Sequence, residues 1–299
     1  MIKTINPFFL SSVLCLCINL SIGKVSANEE ELNFEVTDAG EMEYSDRDVL
    51  RRDASDQARI ERSISLPLPR TLRKGSMQYS IEHRNRTSVD EEPFHNFFGF
   101  DAGDVKIGFG LSYGVLNNLD VGVRRLNGTV ERFDTYQFSS RLQLLSETTH
   151  ALDLALLGGS SLYTIRDDTD AWSGFRSLLV GRSFFKRFYF SSGVLYHDNS
   201  TAREKTAGDE KDSTAIMGAA ILRLTDRLLF SAEWSAPVAG YEASSTAWAG
   251  ALKFVTHGHT FSLVGANTQY MTLDGLAAGT SFDDDEVVIG FSITREFLL

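Results

Sequence analysis

Several residue types are scarce in this 299-residue chain, and each shortage excludes a class of protein. The only two cysteines, Cys15 and Cys17, lie in an apolar N-terminal run, so a chain cleaved after that run has neither a disulfide nor a thiolate metal site. Basic residues number 29 against 40 acidic ones, and this net charge of −11 argues against nucleic acid as a partner. No apolar run after residue 27 reaches the length of a transmembrane helix, which excludes a helical membrane protein.

The first segment of the chain has the features of a secretory signal. Lys3 precedes the apolar run, and Val25-Ser26-Ala27 supplies the small residues of a cleavage site. We therefore predict a signal peptide over 1–27, followed by secretion across the inner membrane.

The next segment, 28–63, is strongly charged and has few large apolar side chains, so it cannot form a core of its own. We expect a polar, acidic periplasmic tail there; a weak helix over 45–62 that docks in or partly plugs the following domain is the alternative. Leu66-Pro67-Leu68-Pro69 then imposes extended backbone, and we expect one β-barrel domain over 64–299.

Most of the remaining chain alternates large apolar residues with small or polar ones. From Val105 to Tyr113, for example, every second residue is large and apolar, and the residues between are lysine, glycine and serine. Because successive side chains of a strand point to opposite faces, such strands have an apolar outside and a small, polar inside. We predict an all-β fold, a transmembrane antiparallel β-barrel of about 12 strands, at 75–86, 104–115, 119–126, 133–145, 151–163, 172–183, 188–197, 214–224, 228–237, 248–256, 260–267 and 286–297.

The connections between these strands alternate between short turns and longer loops, with 127–128 as the exception. This rhythm is typical of outer-membrane barrels, whose short turns face the periplasm. We therefore expect the outer membrane of a Gram-negative cell envelope, a periplasmic N-terminal tail, and membrane lipid and the barrel assembly machinery as partners. A soluble β-sandwich is the alternative, but its outward face would carry the charges.

Four stretches of the chain resemble a family of uncharacterised bacterial outer-membrane β-barrel proteins, known only as a domain of unknown function. They are LPLPRTLRKGSMQYSIEHR at Leu66–Arg84, FFGFD at Phe97–Asp101, GHTFSLVGANTQYMT at Gly258–Thr272 and GFSITREF at Gly290–Phe297. The resemblance covers most of 64–297 and implies a barrel in the outer membrane. It implies no assigned chemistry and no catalytic residues.

Charged residues of both signs fall on the predicted inward faces. Such residues either line a water-filled channel or pair across the lumen as a plug, and the many small inward residues favour some open space. The candidate lumen-lining residues are Glu82, Arg84, Lys106, Asp120, Arg124, Arg141, Arg223, Glu233, Lys253 and Glu296, and Asp153 shares their face.

Neither the histidines nor the acidic loops form a pattern typical of a catalytic or metal-binding site. Ser191 and His197 share an inward face, but about 20 Å of strand separates them at 3.3 Å per residue, and His83 falls on the apolar face. His257 and His259 flank a turn glycine without a third ligand. Acidic clusters occur in predicted outer loops without the glycine and fixed spacing of a calcium loop, at 90–92, 167–170 and 283–286. We expect no catalytic residue, no metal site and no cofactor.

These observations favour a porin-like barrel that acts as a passive channel or small-solute transporter, with the inward charges setting its selectivity toward ions or small solutes. A closed structural or surface-interaction barrel with acidic outer loops is the alternative. An outer-membrane lipid hydrolase is a remote third.

Overall fold

The computed structural model of the chain describes residues 62–85, 105–128, 134–164, 171–185, 187–198, 212–240, 245–256, 258–283 and 285–298. The predicted signal peptide, nearly all of the predicted tail and the acidic clusters at 90–92 and 167–170 lie outside these ranges. The strands are β1 Ser76–Asn85, β2 Val105–Leu116, β3 Leu119–Leu126, β4 Asp134–Leu145, β5 Asp153–Thr164, β6 Ala171–Phe184, β7 Phe188–His197, β8 Ser213–Arg223, β9 Leu228–Gly240, β10 Ala247–Val255, β11 His259–Ala266 and β12 Val288–Leu298.

Each strand pairs antiparallel with its neighbours in the chain, and β1 pairs with β12, so the twelve strands form a closed barrel. The closing seam runs from Ser76 opposite Leu298 to Arg84 opposite Gly290. Closure leaves no unpaired sheet edge, which the interior of a membrane requires because it contains no water to bond free backbone groups. Every strand end lies within three residues of its predicted position, so the predicted fold is confirmed.

Alternation sets the two faces of the wall. On β2 the large residues Phe109, Leu111 and Tyr113 are exposed, whereas Lys106 and Ser112 between them are buried. The same pattern recurs around the barrel, so the outside is largely apolar and suited to lipid, whereas the inside carries polar and charged side chains together with buried apolar ones.

Connections of at most seven residues, four of them with four residues or fewer, lie at one end of the barrel, which we call the short-turn end. They are 117–118, 146–152, 185–187, 224–227 and 256–258. The opposite loop end carries the connections 86–104, 127–133, 165–170, 198–212, 241–246 and 267–287. No helix within the described ranges is long and apolar enough to cross a membrane.

Two segments lie inside the wall. The first strand begins at Ser76, and residues 62–72, which we call the inner hairpin, are buried except for half-buried Ile64. Residues 267–280, which we call the inner loop, are all buried and include a short helix α1 at Leu273–Ala278. Residues 64–75, the first part of the predicted barrel domain, therefore precede the first strand of the wall.

Glycines allow the chain to leave the lumen and enter β1. Gly75 has a φ of 80°, and its N–H donates to Gly114 O at 2.8 Å. A Cβ on Gly114 would lie 1.9 Å from Arg73 O, so no larger residue fits where the hairpin passes over the wall.

We predict that Leu111→Arg lowers the free energy of unfolding by about 2–4 kcal/mol, because Leu111 is 41% exposed at the middle of β2, where the membrane is apolar. Denaturant titration in lipid vesicles measures the effect. Leu111→Phe is the matched control and leaves stability nearly unchanged. Equal loss in both variants would mean that Leu111 packs against protein rather than lipid.

Candidate functional site

The inner hairpin reverses its direction at residues 63–66. Ser63 N–H donates to Leu66 O at 2.8 Å, and Arg62 pairs antiparallel with Pro67. Proline at 67 and 69 removes two N–H donors from a limb that has few backbone partners, so an extended chain fits there with fewer unsatisfied groups.

One wall carboxylate binds the tip of this hairpin. Glu233 on β9 is 5% exposed, and its oxygens accept N–H bonds from Ile64 at 2.9 Å, Ser65 at 2.9 Å and Leu66 at 3.0 Å. On the neighbouring strand β10, the Lys253 ammonium donates to Ser63 O. Hydrogen bonds to an ionised oxygen are stronger than neutral ones, so Glu233 fixes three consecutive residues of the tip.

The descending limb is bound by a wall ion pair. Arg141 on β4 donates to Leu68 O at 2.8 Å and to Asp120 on β3 at 2.5 Å. Asp120 in turn accepts the Leu72 N–H at 2.8 Å. The pair therefore satisfies one donor and one acceptor of the hairpin while its two charges neutralise each other.

A hairpin arginine binds the wall near the short-turn end. Arg70 donates to Asp153 at 2.5 Å and to Glu147 at 2.7 Å, and its guanidinium lies 4.6 Å from the ring centre of Tyr189. The Tyr189 hydroxyl donates to the same Asp153 carboxylate at 3.1 Å. Burial acts to lower the pKa of Arg70, but Tyr189, Asp153 and Glu147 together raise that pKa above its ordinary value.

Apolar side chains at every second hairpin position fill the spaces beside small wall residues. Ile64 packs against a cluster that includes Ala249 and Ala251, and Leu68 packs against a cluster that includes Ala219. The small inward residues that favoured open space in the sequence therefore face the hairpin side chains. Leu66 joins a third, larger cluster that includes inward residues of β5 to β8 and leucines of α1: Leu157, Phe175, Leu179, Leu195, Met217, Leu273 and Leu276.

Two arginines join the inner hairpin to the inner loop. Arg84 on β1 donates to Ser65 Oγ at 2.6 Å in the hairpin, and to Thr268 O and Tyr270 O at 3.1 Å in the loop. Arg62 of the hairpin donates to Met271 O at 2.8 Å. The two segments therefore fill the lumen as one bonded unit.

The structure buries eight of the ten predicted lumen residues and half-buries Arg223 and Glu296. Five of the eight bind an inner segment through the hydrogen bonds above: Arg84, Asp120, Arg141, Glu233 and Lys253. The Lys106 ammonium lies 5.0 Å from the ring centre of Tyr270. Glu82 and Arg124 pair within the wall at 2.7 Å, and Arg223 pairs with Asp226 at 2.9 Å beside the short turns.

The hairpin residues Arg62 and Arg70 were missed because they precede the first strand, where the sequence predicted an approach to the barrel rather than an insertion into it. Alternation of Ile64, Leu66 and Leu68 was an available signal, since it gives an apolar face to a segment outside the wall. The inner loop offered a weaker signal in the near absence of charge from 267 to 280.

The residues considered for other chemistry lie apart. His197 Nε2 lies 3.4 Å from Ser173 Oγ on β6, whereas Ser191 is paired opposite Gly181 near the other end of β7. His83 stacks on Phe291 with ring centres 4.7 Å apart, on the outward face. Of the two turn histidines, only His259 is described. In the described part of the chain, no group of three or more His, Cys, Asp and Glu is arranged to hold a metal ion.

We predict that Glu233→Gln weakens hairpin docking by about 1.5–3 kcal/mol, because one amide oxygen replaces a carboxylate that accepts three N–H bonds. Amide hydrogen exchange at Ile64–Leu66 should accelerate roughly tenfold or more by the same free energy. Glu286→Gln at the loop end is the control and leaves that exchange unchanged. Unaltered exchange in Glu233→Gln would show that the apolar clusters alone hold the hairpin.

Several solved outer-membrane proteins show a distant likeness to the chain. The KdgM porin is 7% identical, with a TM-score of 0.46 over 74% of this chain and 99% of that one. An outer-membrane channel from Pseudomonas putida F1 is 9% identical, with a TM-score of 0.47 over 76% of this chain and 97% of that one. The CymD monoaromatic hydrocarbon channel is 11% identical, with a TM-score of 0.40 over 76% and 90%.

No curated protein sequence matches the chain. Residues 61–297 match the family described as "Membrane bound beta barrel domain (DUF5777)". This match confirms the resemblance seen in the sequence, and the chain belongs to this family of membrane-bound β-barrel domains.

Proposed function

We propose that this protein is a passive outer-membrane channel for ions or small solutes, and that the inner hairpin closes it. The observation that carries the proposal is the way the hairpin is held: charged wall side chains bind its backbone at Ser63, Ile64, Ser65, Leu66 and Leu68. The hairpin is thus a separate element bound in the lumen, and it shares no strand pairing with the wall in the described residues.

Polar attachment makes the closure reversible. When a hydrogen bond to a charged group inside a protein is exchanged for bonds to water, the net cost is about 1.5–3 kcal/mol, far less than the bond is worth in a dry interior. The carboxylate of Glu233 and the guanidinium of Arg84 would be hydrated in a water-filled lumen once the hairpin left. Withdrawal therefore leaves a charged, wettable wall, as an aqueous channel requires.

The direction of the hairpin supports a periplasmic tail. The limb from Pro67 to Leu72 runs toward the short-turn end, and Arg62 pairs antiparallel to it. At Arg62 the chain therefore runs from the short-turn side toward the tip. In an outer-membrane barrel the short turns face the periplasm, so we place the tail there.

A closed structural barrel is the second candidate, and the apolar clusters around Leu66 and Leu68 favour it. Burying apolar side chains stabilises the closed state by about 25 cal/mol for each Å² removed from water. The two candidates differ in whether loosening the polar contacts yields a conducting state. Neither assigns catalysis to the lumen residues.

We predict that Arg84→Ala combined with Glu233→Gln raises the open fraction in planar bilayers, because Arg84 binds both inner segments and Glu233 binds the hairpin tip. Wild-type protein should show rare openings and the double variant sustained current. The matched control, Arg125→Ala with Glu286→Gln, removes the same charges outside the lumen and should behave as wild type. Fast amide exchange at the tip without current in the double variant would favour the closed barrel.

We also predict that replacing Arg84, Arg124 and Arg141 together with Gln shifts ion selectivity toward cations. The change removes three positive charges from the lumen and leaves Glu82 and Asp120 without their arginine partners. Reversal potentials in a KCl gradient measure the shift. Arg125→Gln with Arg176→Gln, which changes exposed outward charges, is the control; an equal shift in that variant would place the selectivity outside the lumen.

A further inference from the structure

The exposed charges at the short-turn end have the opposite sign to the chain as a whole. The net charge of the chain is −11. At this end, however, six cationic residues are exposed in the described ranges, and Asp226, which pairs with Arg223, is the one exposed acid there. The six are Arg73, Lys74, Arg182, Arg187, Arg227 and Arg295.

Three of these cations lie on adjoining turns. Arg182 and Arg187 flank the turn between β6 and β7, and Arg227 lies in the turn between β8 and β9. The backbone connects them: Arg223 N–H donates to Arg187 O at 2.8 Å, and β8 leads from Arg223 directly into the turn that holds Arg227. We call Arg182, Arg187 and Arg227 the turn cluster.

The turn between β6 and β7 also presents an aromatic tip. Phe185 is 94% exposed, and its φ of 53° is a left-handed conformation that bulky residues rarely adopt. Phe184 beside it is exposed on the outward face, and the Arg182 guanidinium lies 5.7 Å from its ring centre. In water, an exposed phenylalanine in this strained backbone conformation would make no stabilising contact. At a membrane surface, the same turn places both rings among lipid chains.

Charge and aromatic rings together fit a lipid surface. Aromatic side chains locate at the boundary between hydrocarbon and headgroups, and arginine or lysine beside them binds the phosphate of anionic lipids. None of the three turn-cluster arginines forms an ion pair with a carboxylate of the described residues. Their charges therefore remain available to a ligand.

We propose that the turn cluster, with Phe184 and Phe185, is a binding site for the headgroup of an anionic phospholipid in the leaflet at the short-turn end. The guanidinium groups bind the phosphate, and the two rings lie against the acyl chains. The site is separate from the lumen, so it stands whether or not the barrel conducts.

Retention of lipid by the folded protein tests this site. Protein in zwitterionic detergent is mixed with equal amounts of dioleoyl phosphatidylglycerol and dioleoyl phosphatidylcholine, and native mass spectrometry measures which lipid stays bound. Wild-type protein should prefer phosphatidylglycerol. Arg182→Gln, Arg187→Gln and Arg227→Gln combined should reduce that preference roughly tenfold or more, since each surface cation contributes to anionic lipid binding.

Two outward arginines at the loop end provide the matched control. Arg125 pairs with Asp134 at 2.6 Å, and Arg176 lies 4.5 Å from the ring centre of Tyr196, so Arg125→Gln with Arg176→Gln should keep the preference. Heat-dependent gel mobility verifies that each variant is folded. If the triple variant does not fold, Arg182→Gln alone is used in its place. Equal retention of the two lipids by wild-type protein, or equal loss in the control, overturns the proposal.

Discussion

The buried carboxylate of Glu233 needs hydrogen-bond donors, and the arrangement of the chain in much of the lumen depends on that need. A buried charge without a partner costs several kcal/mol, and here the partners are three successive N–H groups of one reversed segment of chain. That requirement sets the position of Ile64, Ser65 and Leu66 in the lumen. The remaining contacts of the hairpin then follow along its descending limb, as Arg141 reaches Leu68 O and Asp120 accepts the Leu72 N–H.

The same constraint links the two ends of the barrel. Because Arg84 binds Ser65 and also two carbonyls of the inner loop, a shift of the hairpin tip changes the partners of a segment that originates at the loop end. The two inner segments also share the apolar cluster of Leu66 with Leu273 and Leu276. The hairpin and the inner loop are therefore joined by both polar and apolar contacts, and the proposed opening of the channel involves both segments.

The strands of the wall could be predicted from the sequence, but the two segments inside the lumen could not. Alternation such as that from Val105 to Tyr113 is local, and a closed barrel then determines which face each side chain takes. By contrast, the hydrogen bond from Ile64 N–H to Glu233 joins residues 169 positions apart, and no local periodicity of the sequence indicates it. Small inward residues such as Ala249 led to a prediction of open space in the lumen. In the structure Ile64 packs against them, and Ile64 belongs to a segment that the sequence placed before the barrel rather than inside it.

Thiol labelling measures whether the hairpin lies inside the lumen of the membrane-embedded protein. Ser63 is fully buried, and the only native cysteines, Cys15 and Cys17, lie in the predicted signal peptide, so Ser63→Cys introduces one reporter. A bulky, membrane-impermeant maleimide should label Ser63→Cys at least tenfold more slowly than Thr148→Cys in an exposed turn, and Glu233→Gln should speed that labelling. Labelling of Ser63→Cys as fast as Thr148→Cys in otherwise wild-type protein would contradict a hairpin held inside the lumen.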